Sequence, residues 1–93
     1  MVLELRFPEV HSLKEKRRVL ARLSTAIRAT ADVVTAETAH QDTWQRSALA
    51  VAFVSSSHEV VDSMVANVVE CADNQLDIEL LSSAISYLEP PEA

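Results

Sequence analysis

The chain has 93 residues, 48% of them hydrophobic and 24% charged, with a net charge of −6, a balance that describes one folded soluble domain and excludes a disordered chain. No apolar run approaches the roughly 18 residues of a membrane span, and Glu4, Arg6 and Glu9 interrupt the start where a secretory leader needs an unbroken apolar stretch. A cytoplasmic protein with no contact to membrane is expected. Cys71 is the single cysteine, which excludes a disulfide framework or a cysteine-based zinc site and reads as a small apolar filler on a helix. The first element is a strand, because Met1, Leu3, Leu5 and Phe7 alternate with Val2, Glu4 and Arg6 until Pro8 ends the run.

Next comes "SLKE" at Ser12 to Glu15, a capping box that opens a helix. At 100° per residue Leu13, Val19, Leu20, Leu23 and Ile27 share one arc, while Lys14, Arg17, Arg18, Arg22 and Arg28 share the opposite one. Lys16 is the exception, a lysine on the apolar arc. Charge is correspondingly uneven: residues 11–31 hold six Lys or Arg and one Glu, a net +5, against −11 for the remainder. A second strand is predicted over 32–40 and a third over 47–54, the latter apolar on both faces and hence central. "SSHE" at Ser56 to Glu59 is a second capping box, opening a helix that turns Val60, Met64, Val65, Val68 and Ala72 inward. Residues 74–80 form a connector, and 81–88 a last strand closed by Pro90 and Pro91.

The order β-α-β-β-α-β over a single domain of residues 1–93 predicts an α+β, ferredoxin-like split β-α-β: a four-stranded antiparallel sheet in the order 4-1-3-2, with both helices on one face. That topology brings His11, Lys14 and the whole "HQDTWQR" segment, residues 40–46, to one edge of the sheet.

"HSLKEKRRVL" together with "AETAHQDTWQRSALAVAFVS" resembles the YlxP family of small bacterial proteins of unknown function, over nearly the whole chain. The resemblance implies a ferredoxin-like fold. Genes of that family tend to lie beside those for translation initiation and small-subunit maturation, which implies ribosome-related work. No catalytic residues are carried over from it. This chain departs in having Thr38-Ala39 before the histidine, where an apolar residue and a small or acidic one are common, so no carboxylate stands at position 39 to serve a metal or acid-base role.

Three constellations could carry function. Lys14, Arg17, Arg18 and Arg22 read either as a solvated face or as an anion site at a helix start, where unpaired N–H groups and the dipole favour phosphate. Trp44 reads as a cap on the core, as part of a subunit contact, or as a stacking platform for an unpaired base. Glu37, Asp42 and Arg46 read as an ion pair bracing the loop, of the kind worth under about 1 kcal/mol at a surface. His11, His40 and Asp42 could instead serve a metal-dependent or hydrolytic enzyme, although their spacing matches no known metal motif and no nucleophile signature accompanies them. For His40, a loop hydrogen bond is the simpler role.

The expected function is a non-enzymatic module, with no cofactor and no metal, that meets ribosomal RNA or the small ribosomal subunit through Lys14, Arg17, Arg18, Arg22, Arg46, His11, His40 and Trp44. The alternatives are the small enzyme just described and a purely protein-interaction module. A homodimer packed sheet to sheet is also expected, because Ala48, Ala50, Ala52 and Val54 with Val2 would leave the helix-free sheet face apolar, and "EPPEA" offers too little apolar area to cover it.

Overall fold

The computed structural model describes residues 1–88; "EPPEA", including the prolines expected to close the last strand, lies outside the described residues. The elements run β1 (Val2–Arg6), α1 (Leu13–Thr30), β2 (Val34–Ala39), β3 (Arg46–Ala52), α2 (His58–Asp73) and β4 (Glu79–Ala84). They form one sheet in the order β2-β3-β1-β4 with every neighbouring pair antiparallel, the βαββαβ ferredoxin-like arrangement read from the sequence. Among the described residues no helix is long and apolar enough to cross a membrane.

Register follows from the alternation in the strands. Leu3 pairs with Leu49 and Leu5 with Ser47, while Thr35 pairs with Val51. Leu3, Leu5, Leu49 and Val51 therefore share one sheet face, and all are buried. Against them lie Leu20, Leu23 and Ile27 of α1 and Val68 and Ala72 of α2, with Phe7 and Ile78 closing the core. Both helices thus cover the same face, and each buried leucine contributes about 1.5–3 kcal/mol by leaving water.

Ser12 caps α1, its hydroxyl accepting from the Glu15 backbone N–H at 3.1 Å, and the Glu15 carboxylate reaches back to the His11 N–H at 3.0 Å. At α2 the cap is one residue later than the capping box suggested. Ser57, not Ser56, accepts from the Val60 N–H at 3.3 Å, and the Ser55 hydroxyl takes the Ser57 N–H instead. Val60 is correspondingly half exposed, and Val61, seven residues before the buried Val68, is the residue that turns inward.

The last strand also moves. It covers Glu79–Ala84 and not 81–88, because its register is set by β1: Arg6 pairs with Glu79 at one end and Val2 with Ala84 at the other, and β1 has no further residues to offer. A bulge leaves Leu81 unpaired between the partners of Glu4 and Leu5. The second and third strands are likewise shorter than expected, with Val54 two residues past the end of β3.

Candidate functional site

The segment 40–46 turns β2 into β3 without a glycine, since the chain contains none. His40 takes the left-handed conformation itself, at φ 63°, and its carbonyl accepts the Thr43 N–H at 3.0 Å to close the turn. Histidine is among the non-glycine residues that tolerate this region, at a cost that its surroundings must offset.

Those surroundings are built around Lys16. Its side chain is fully buried, and Nζ donates to the carbonyls of His40 at 2.7 Å, Gln41 at 3.1 Å and Arg46 at 3.3 Å. Glu37 Oε2 stands 3.0 Å from the same nitrogen and also accepts from the Ser47 hydroxyl at 2.6 Å. A buried ammonium is expensive unless paired and hydrogen-bonded, and here three protons are shared among four oxygens. The bulge at Thr38 matters to this arrangement. Glu37 pairs with Leu49 but Ala39 with Ala48, so the extra residue keeps Glu37 on the helix side, beneath Lys16, while the chain still reaches the turn in register.

A second tie runs to the β1–α1 connection. Gln45 Nε2 donates to the carbonyls of Pro8 at 3.2 Å and Val10 at 3.1 Å, and the Gln45 carbonyl accepts the Phe7 N–H at 3.0 Å. On the helix-free face Arg46 Nη2 lies 3.3 Å from Glu4 Oε2, and His40 Nε2 lies 3.6 Å from the same oxygen, an ion pair only if the imidazole is protonated. Arg46 Nε is buried with no hydrogen-bond partner among the described residues. The brace expected from Glu37, Asp42 and Arg46 is therefore rearranged: Glu37 serves Lys16, Arg46 serves Glu4, and Asp42 is exposed.

The other sequence-selected residues fall as follows. Lys14, Arg17 and Arg18 are exposed on the first two turns of α1 and make no ion pair among the described residues. Arg22 is tied to Asp77 in the α2–β4 connection, and this guanidinium, donating to the carboxylate, holds Asp77 below its ordinary range against a smaller opposing effect of burial. Arg28 reaches Thr35 Oγ1 at 3.3 Å. Trp44 is 50% exposed and stands outside the core cluster, so it does not cap the core. His11, His40 and Asp42 do not assemble a metal site, since among the described residues no three His, Cys, Asp or Glu side chains are placed to hold an ion. Cys71 packs against the core and burial pushes its thiol up, as suits an apolar filler.

The helix-free face differs from the expected alanine stripe. Ala48 is buried at 2% exposure on the strand position opposite Glu4, so the apolar part of the face lies toward the far end, at Val2, Ala50 and Ala52. There it opens into a cleft of about 990 Å³ whose walls include Met1, Ala52, Phe53, Val61, Ile85 and Tyr87.

Lys16, Ser47 and Gln45 have roles that the chain alone does not disclose, and Glu37, expected in an ion pair bracing the loop, has Lys16 as its partner. The one available signal was the lysine on the apolar arc of α1. A family model described as "Protein of unknown function (DUF503)" matches residues 1–85. The chain is also 40% identical over 68 residues to the Uncharacterized protein YlxP of Bacillus subtilis (strain 168), a match covering 73% of this chain and 74% of that protein. These two likenesses make the chain a member of the DUF503 family of YlxP-like proteins of unknown function.

Proposed function

We propose that the protein is a non-enzymatic, cytoplasmic RNA-binding module that meets ribosomal RNA or the small ribosomal subunit with the start of α1 and the edge formed by residues 40–46. The observation that carries this reading is the set of three exposed cations, Lys14, Arg17 and Arg18, without ion-pair partners among the described residues, on the helix whose Lys16 grips the loop bearing a half-exposed Trp44. Surface cations in a chain of net charge −6 would ordinarily be neutralised by its many carboxylates. Arg22 is neutralised in this way, and it contributes less to the proposed surface. Exposed Glu59, Asp62, Glu70 and Asp73 on α2 repel phosphate and direct RNA to α1.

A salt series with small-subunit ribosomal RNA tests the reading. Three phosphate contacts give log K against log salt a slope of about −2 to −3, and Arg17→Glu with Arg18→Glu flattens it and weakens binding at least tenfold. A flat response in the wild type, or no change in the charge reversal, removes the proposal. Trp44→Ala weakens binding by about 1–3 kcal/mol if the indole stacks on a base.

A second reading concerns assembly: the helix-free face carries another copy of the chain, sheet to sheet about a two-fold axis. Its support is the concentration of exposed aliphatics at the far end, with Val2 at 37%, Val34 at 71% and Val54 at 96% exposure beside the cleft. Ala50→Glu places a carboxylate in the middle of that contact and converts the dimer to monomer in light scattering. A wild type that is monomeric at micromolar concentration ends this reading.

A further inference from the structure

We propose that Lys16 is a positioning residue for partner binding: its buried ammonium holds residues 40–46 in the single conformation in which Trp44 meets RNA. The inference rests on the function proposed above and adds to it the residue that makes the loop competent.

The loop divides by where its groups point. His40, Gln41 and Arg46 give their carbonyls to Lys16, and Gln45 gives both its amide and its carbonyl to the β1–α1 connection. Asp42 and Thr43 are exposed and Trp44 is half exposed, so the inward ties leave the three central residues presented to solvent. A turn with φ 63° at a histidine and no glycine is not a conformation that this segment would hold by local preference. What holds it is a proton donor beneath it, and Lys16 is the donor that reaches three of its carbonyls.

The location of Lys16 gives the contact a second use. It lies on α1 between Lys14 and Arg18, about 160° around the helix from each at 100° per residue. One turn of helix therefore faces solvent with cations and grips the loop from inside, which fixes the spacing between the phosphate-binding side chains and Trp44. A binding surface whose parts are already ordered loses less entropy when it is occupied, because its side chains need not be immobilised on binding.

The test separates positioning from folding. Lys16→Met alone strands the Glu37 carboxylate, so the informative protein is Lys16→Met/Glu37→Gln, which keeps an acceptor for the Ser47 hydroxyl and buries no charge. Far-UV circular dichroism should match the wild type. Thr43 amide exchange should quicken at least tenfold, the anisotropy of Trp44 emission should fall, and affinity for small-subunit ribosomal RNA should drop about tenfold with an unchanged salt slope. Leu23→Ala, which weakens the core away from the loop, should leave affinity unchanged where it is folded.

Affinity equal to wild type in the double variant, with a loosened loop or without one, overturns the inference while leaving the α1 surface intact. A shallower salt slope in the double variant also overturns it, because the loss would then lie in the phosphate contacts. Wild-type protein without salt-dependent RNA binding removes the proposed function, and this inference with it.

Discussion

At the end of the sheet where β1 runs toward α1 and β2 turns into β3, every connection is cross-tied by polar groups: Lys16 to three carbonyls, Gln45 to two, Arg46 to Glu4. The opposite end, where β3 passes to α2 and β4 finishes, has Val54 and Leu88 at 96% exposure and a cleft walled by aliphatic and aromatic side chains. Hydrogen bonds fix geometry, whereas apolar surface left in water favours covering by anything of matching shape. The first end is therefore the more fixed of the two, and the ligand and the second copy proposed above would meet the first and the second end respectively.

The comparison breaks most visibly at Lys16. Removing one partner of a buried ion pair leaves an uncompensated charge, so Lys16→Met should cost about 3–5 kcal/mol in urea unfolding, and adding Glu37→Gln should recover the part due to the stranded carboxylate, leaving about 1–3 kcal/mol for the three carbonyls that lose their donor. A loss under 1 kcal/mol would mean that water reaches Glu37 and that the loop end is not the braced one. Gln45→Ala comes next. It deprives the Pro8 and Val10 carbonyls of their donor and should cost about 1–3 kcal/mol, with Phe7 amide exchange quickened. At the far end Val54→Ser should change monomer stability by less than about 0.5 kcal/mol, since Val54 is already in water. If Val54→Ser cost as much as Gln45→Ala in dilute solution, the two ends would be equally structural.

The same contrast explains what could be read from the chain alone. Strand alternation at Leu3 and Leu5, the Ser12–Glu15 cap and the helical arc of Leu20, Leu23 and Ile27 are local patterns, and together with the element order they determined the fold and strand order. The exposed cations of α1 were legible for the same reason. Partners distant along the chain were not. Lys16 stands 21 positions from Glu37, and their meeting depends on a bulge at Thr38 that no residue type announces. The same holds for β4, whose limits belong to β1 and not to the composition of 81–88. The misplaced cap at α2 has another cause: Ser55, Ser56 and Ser57 all offer a hydroxyl, and burial of Val68 and Ala72 selects the helix phase, leaving Ser57 at the cap.

The smallest predicted effect lies at Asp77, in the α2–β4 connection that leads into Glu79 opposite Arg6, and its sign follows from the direction of its shift. The Arg22 guanidinium, by donating to the carboxylate, keeps Asp77 ionised to lower pH in the folded chain than in the unfolded one, where an aspartate titrates near about 3.9. The folded state therefore binds fewer protons through that window, and the pair's contribution is complete above about pH 5 and is lost as pH falls through the ordinary aspartate range toward the lowered value. Both side chains are substantially exposed, with Arg22 at 50% and Asp77 at 41%, so solvent screening holds the contribution below about 1 kcal/mol. Asp77→Asn should thus lower stability slightly at pH 7, and the difference should shrink as pH falls below the ordinary aspartate range. Adding salt to the wild type at pH 7 should remove part of the same difference. An Asp77→Asn protein that matched the wild type at pH 7 and differed from it only in acid would reverse the sign and place the stabilising interaction on the protonated carboxyl.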